Sequence, residues 1–310
     1  MNLKLNNKRT ILVGLAFLSI CAFWQMYNSV IPKILTYTFH LDETYSGIIM
    51  AADNVLALFL LPLFGAISDK SRSRMGRRMP FILCGTGCAV LLMMLLPILD
   101  NSYAASPSVT KLVLFIAVLG LLLVAMGTYR SPAVALMPDV TPKPLRSRAN
   151  AIINLMGAVG GILYLGLAAV LYPASKTHGL AHVSYRPLFL IVSLIMATAV
   201  LILYLTIKEP KLEAENQKLE AAHPEWKGAR GWKNDYAFCT SSESALRYLR
   251  ESLADIFAQV PNLGGLINIS HGERITNCLS ALPAVSDAQV NCPRCSKRPK
   301  WDCLLYTSDA

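Results

Sequence analysis

Gly65-Ala-Ile-Ser-Asp69-Lys70-Ser-Arg72-Ser-Arg74-Met-Gly76-Arg77-Arg78 closes one apolar run, residues 45–67, and precedes another, residues 80–99. One acid and five bases fall within residues 69–78. Such a cluster is too costly for hydrocarbon, so it reads as a loop at a bilayer face with a spanning helix on either side. A core about 30 Å thick needs roughly 20 apolar residues at about 1.5 Å each. Working outward, the runs 10–36, 111–137, 150–172 and 188–207 also qualify, which makes six spans. The first is too long for a signal-peptide apolar segment and is followed by more apolar sequence, so it reads as a retained span. The expected fold class is therefore an all-α integral membrane domain.

Composition agrees. The 310 residues are 54% apolar and only 15% charged, with a mean hydropathy of +0.44. That excludes a disordered chain, a disulfide-rich mini-protein and an ordinary soluble enzyme. Residues 1–211 carry 18 Lys/Arg against 7 Asp/Glu, whereas residues 212–310 carry 11 against 12. With a cytoplasmic N-terminus, the inner segments hold 13 Lys/Arg and the outer ones four, Lys33, Lys111, Lys176 and Arg186. The positive-inside rule then places the N-terminus and the tail in the cytoplasm of a multi-pass protein of the cell (inner) membrane. The excess positive charge is explained by the bilayer and calls for no nucleic-acid partner.

Three ionisable groups stand deep in the apolar runs or at their ends. Asp53, followed by Asn54, lies in the middle of the second run, and Arg130 lies in the fourth, nine residues before Asp139. A charge at the centre of a span costs about 2.5–3.5 kcal/mol, so each should face a polar cavity or an opposite charge. The two could pair, or Asp53 could be held protonated; coupling to a proton or sodium competes with a fixed structural ion pair. Trp24, Gln25, Tyr27 and Asn28 in the first run suit stacking on sugar rings and bonding to hydroxyls, although Trp and Tyr are also ordinary at membrane interfaces. Asn154 is a candidate for the same cavity. Gly157-Ala-Val-Gly160-Gly161 reads as a small-residue stripe for close helix contact.

The string Gly-x-x-x-Asp-Lys…Gly-Arg-Arg between the second and third spans resembles the signature loop of the major facilitator superfamily. The fuller GAISDKSRSRMGRRMPF is similar to its sugar:cation branches, the sucrose/proton and glycoside–pentoside–hexuronide symporters. The resemblance implies half of a twelve-helix fold working by alternating access. It gives a cytoplasmic gate role to Asp69, Arg77 and Arg78, with Gly65 and Gly76 at close-packing positions. Tyr129 to Asp139, followed by Arg146-Ser-Arg148-Ala-Asn150, is similar to the sucrose-symporter pattern and adds Asp139, Arg146 and Arg148 to the gate. One departure stands out: the family's Arg position is Val134 here, with Arg130 one helical turn earlier. Acids on the second helix take part in cation coupling in these branches. That implies a transporter and no enzyme, with a small sugar as substrate and Asp53, Asn54, Arg130, Trp24, Tyr27, Asn28 and Asn154 around substrate and cation. Six spans lack an opposing half, so transport is expected only with a second copy or the missing C-terminal six-helix half.

The domains expected are 1–211, the six-span transporter half; 212–222, a charged cytoplasmic linker; 223–302, a short α/β fragment; and 303–310, an adapter-like end. In the fragment a helix is predicted over 243–260 and a strand over 265–270. It resembles a βα segment of family-20-type glycoside hydrolases, which implies Ser270, Glu273, Thr276 and Asn277 as sugar contacts. A membrane-anchored glycan hydrolase is thus the rival reading, disfavoured because one barrel unit cannot form an active site. Cys278, Cys292 and Cys295, with His271, offer a zinc-type ligand set or simply free thiols. Cys303 to Ala310 resembles one frame of a sequencing-library adapter, which with the change of composition suggests a chimeric or truncated gene.

Overall fold

The computed structural model describes residues 5–222, apart from 143, 144, 178 and 181, together with 227–230, 236–238 and scattered positions from 242 to 258. The strand expected at 265–270, the set His271, Cys278, Cys292 and Cys295, the contacts Ser270, Glu273, Thr276 and Asn277, and the end 303–310 lie outside the described residues.

Helix α1 (Asn7–Lys33) runs on through a π-helical turn, Ile34–Thr38. It is followed by α2 (Glu43–Lys70), α3 (Met79–Ala105), α4 (Val109–Val140), α5 (Arg146–Leu171), a single turn α6 (Ala174–Thr177) and α7 (Arg186–Thr206). Six of these helices are long and apolar enough to cross a membrane. Polar side chains set several ends. Asn6 Oδ1 accepts from the Arg9 amide at 3.1 Å, and Asp42 Oδ2 accepts from the Thr44 amide at 3.1 Å, each satisfying a free N–H of a first turn. Helix α3 runs six residues past the apolar stretch that predicts it, to Ala105. There the Lys111 ammonium donates to the Ser102 and Ser106 carbonyls at 2.8 and 2.9 Å.

Helix α1 is central, packed on α5 and α7, while α3 packs on α4 and α7 and α2 packs on α4. Close approach of α1 and α5 depends on Gly160: a Cβ there would run into the backbone of Leu18, whereas one on the neighbouring Gly161 would meet nothing within 4 Å. Gly160→Ala is therefore expected to lose about 1–3 kcal/mol of stability through forced separation of the helices. Gly161→Ala should be nearly silent. Detergent unfolding of the two variants checks this; equal midpoints would show that the helices part without strain. The α1–α4 contact is polar as well as apolar. The wholly buried Tyr129 hydroxyl lies 2.6 Å from Ser19 Oγ and donates to the Ala16 carbonyl at 3.0 Å.

Helices α2 and α5 leave rows of large apolar side chains exposed, among them Leu58, Phe59, Ile162 and Leu165. In lipid such rows carry no hydrophobic penalty. After α7 comes α8 (Glu209–Ala222), which takes in the charged linker and starts three residues before it. By internal contacts the chain forms two compact units, Met1–Asn216 and Gln217–Ala310. In the second, β1 (Lys227–Arg230) pairs antiparallel with β2 (Tyr236–Phe238), a hairpin the sequence does not announce. Every described position between 243 and 258 is helical where a helix is predicted.

Candidate functional site

Two groups of polar residues stand out in the first unit. One lies at the end of the bundle where α2 passes into α3. Arg78, the residue before α3, is only 5% exposed. Its guanidinium reaches two helices, α2 and α4. Nε donates to Asp139 Oδ2 at 2.8 Å, one terminal nitrogen donates to Ser68 Oγ at 2.6 Å and to the Gly65 carbonyl at 3.4 Å, and the other pairs with Asp69. Burial alone would depress the ionisation of Arg78, but Asp139 and Asp69 outweigh it and hold the group above its ordinary pKa. Arg77 pairs with Glu213 of α8 and lies 3.8 Å from Asp139 Oδ2. Asn216 Nδ2 donates to the Asp139 carbonyl at 3.0 Å.

Beneath this network sits Glu209, which no motif marked. Its carboxylate is fully buried and accepts from three consecutive amides: Arg77 at 2.8 Å, Arg78 at 2.9 and 3.1 Å, and Met79 at 3.0 Å. These are free N–H groups at the start of α3, where the helix dipole also favours a negative charge. Burial pushes the Glu209 carboxyl up, against the pull of those amides on the ionised form. The loop reaches this position through Gly76, at φ +116°, where a side chain would also strike Glu209. Gly65 serves differently, as a carbonyl acceptor with room beside it only for Ser131 Oγ, 3.2 Å from where a Cβ would stand. Arg146 donates to the Thr141 carbonyl at 3.3 Å, and Arg148 is exposed at the start of α5.

The second group is a small cavity between α1, α2 and α4, walled by Leu56, Leu60 and Leu123 and holding Trp24, Asp53 and Arg130. Arg130 lies over the Trp24 ring, its guanidinium carbon 5.5 Å from the ring centroid, a cation–π contact. Trp24 in turn meets Tyr27 edge-on at 5.4 Å between centroids. Asp53 Oδ1, Trp24 Nε1 and Tyr27 Oη are buried without a hydrogen-bond partner among the described residues. Asp53 and Arg130 thus share a cavity, yet no ion pair joins them among the described residues. Arg130 is half-buried and lines the cavity, whereas Val134 is 47% exposed. Asn28, Asn54 and Asn154 are exposed and stand outside this lining.

This arrangement combines a charge-locked end with a polar cavity inside an apolar bundle. The sequence model of the Major Facilitator Superfamily matches residues 13–259. The chain belongs to that superfamily. Its six-helix bundle is consistent with half of a major facilitator fold, and the match takes in α8 and the hairpin as well as the spans. It is a multi-pass membrane protein. Among curated relatives it is 29% identical over 152 residues to sucrose transport protein SUC3 of Arabidopsis thaliana, covering 45% of this chain and 25% of that protein. It is 31% identical over 154 residues to sucrose transport protein SUT3 of Oryza sativa subsp. japonica, 45% of this chain and 30% of the relative. To human solute carrier family 45 member 3 it is 29% identical over 175 residues, 55% of this chain and 32% of the relative. The matched stretches thus span a quarter to a third of the length of these relatives. The superfamily and these relatives' names point to a transporter rather than an enzyme.

Proposed function

We propose that this chain is part of a secondary active transporter that moves a small sugar or glycoside together with a proton or sodium by alternating access. The Asp53 oxygen buried without a partner, in a cavity shared with Arg130 and Trp24, carries the reading. An ionised carboxylate left so is expensive, and binding a cation or proton removes the expense. Arg130 offers a fork of donors to sugar hydroxyls, and the Trp24 face suits a sugar ring. The sucrose-transport names of the relatives supply the substrate class. The network around Arg78 is then the gate at the cytoplasmic end, formed when the inner side is closed.

Gradient-driven uptake of labelled sucrose tests this, in proteoliposomes holding the chain densely enough for copies to pair. Asp53→Asn is expected to abolish accumulation above equilibrium, because it cannot exchange a cation. Arg130→Ala should weaken sugar binding about tenfold or more, the loss of one charge-assisted hydrogen-bond fork. No uptake by the unsubstituted chain under either gradient, at any density, would refute transport by paired copies, and accumulation left intact by Asp53→Asn would refute the coupling role of Asp53.

A further inference from the structure

At the opposite end of the bundle from the Arg78 network, a second buried carboxylate has no place in the cavity or the gate. Asp100, in the sixth turn of α3, is 0% exposed, and both of its oxygens lack a hydrogen-bond partner among the described residues. The Thr38 hydroxyl lies beside it without forming a good bond. Its ionic neighbour is His182, between α6 and α7, whose Nε2 is 3.8 Å from Asp100 Oδ2. The imidazole is held on both sides, with Nε2 2.9 Å from Asn101 Oδ1 and Nδ1 3.3 Å from Thr38 Oγ1. Three parts of the chain meet here: the π-helical end of α1, the end of α3, and the connection into α7.

Among the described residues, the other titratable and charged groups nearby offer Asp100 no counterion. Tyr185, with Tyr164 and Tyr37 around it, feels the charge of Asp100, and Tyr103 is tilted against Phe39 at 4.4 Å. Lys111 of α4 is taken up by the Ser102 and Ser106 carbonyls, and Arg186 at the start of α7 is exposed.

A bare carboxylate in this position beside a neutral imidazole would be a buried, unpaired charge. Two states avoid that: a protonated Asp100 beside neutral His182, or an ionised Asp100 beside imidazolium. Both hold one proton. We propose that Asp100 and His182 form a proton-binding site, which binds a single shared proton and with it fastens the connection into α7 onto the ends of α1 and α3. The site is separate from Asp53 and stands independently of the sugar-transport reading.

Proton linkage makes the test directional. When the connection opens to water, carboxyl and imidazole part and the shared proton is released as from ordinary solvated side chains. Above about pH 7 the closed form therefore holds one proton more than the open form, and the opening constant rises about tenfold per pH unit. Hydrogen exchange in peptides covering residues 182–190, on the purified full chain and corrected for intrinsic rates, reads this constant. The unsubstituted chain should be flat from pH 5 to 6 and rise about tenfold per unit above 7. Asp100→Asn should reverse the sense, with opening growing only as pH falls, because the closed form then has no carboxylate to receive an imidazolium. His182→Gln should start its rise near pH 5, because Asp100 alone holds the proton; it serves as the test should Asp100→Asn fail to fold. A pH-independent opening constant in the unsubstituted chain overturns the proposal. So does a profile unchanged by Asp100→Asn, or a flat profile in His182→Gln.

Discussion

Arg78→Ala is expected to cost about 3–5 kcal/mol of stability. The reason is what it leaves behind. Asp139, 18% exposed at its side chain, and Ser68, wholly buried, both lose the donor that Arg78 supplies, and Asp69 loses its ion pair with Arg78. Removing one member of a buried pair strands the other charge, which is worse than never having had the pair. Arg78→Lys keeps the charge but not the fork, so it should restore only part of the loss. The double variant Arg78→Ala with Asp139→Asn should be less damaged than the two single losses added, because the carboxylate stranded at position 139 is gone. Unfolding of the four proteins in detergent measures this. Strict additivity would mean that the 2.8 Å contact between Arg78 and Asp139 contributes nothing.

Glu209→Ala should come second, at about 3 kcal/mol. One carboxylate accepts from three successive amides, and hydrogen bonds to a charged acceptor contribute about 1.5–3 kcal/mol each, less when shared. The local signature is sharper than the global one. Amides 77, 78 and 79 have their acceptor in Glu209, so their hydrogen exchange should accelerate by about a hundredfold in Glu209→Ala, the equivalent of about 3 kcal/mol. Glu209→Gln, which keeps one acceptor oxygen, should fall between. Unaltered exchange at those three amides would show that water caps the helix as well as the carboxylate does. The two predictions concern one structure: Glu209 holds the backbone of Arg77 and Arg78 in place, and their side chains then reach Asp139, Asp69 and Glu213.

Much of this was legible beforehand. The six spans follow from runs of apolar side chains, and the loop from its charges, because transfer from water to hydrocarbon is a property of each residue and its near neighbours. Asp53 and Arg130 declared themselves by cost, as charges inside such runs. Asp69, Arg77, Arg78 and Asp139 were legible through spacing in a family-like motif, and they meet in the structure. Glu209 was not, although Pro210 in the first turn of a helix is a recognisable start signal. Its partners lie some 130 positions away. Asn28 and Asn54 share helices with cavity residues but face elsewhere, and Asn154 stands on α5, which supplies none of the lining, since a residue's side of a helix and the neighbours of that helix are decided by packing.

The amino-acid order alone determined that this is a membrane protein of six spans with a basic end, because the bilayer judges each segment by its own hydropathy. Only the tertiary structure decided that Arg130 lies over Trp24 instead of pairing with Asp53, that Glu209 caps α3, and that Asp100 meets His182. Each is a relation between segments, set by how helices pack, and the interaction of two charges depends on a distance that no single stretch of chain contains.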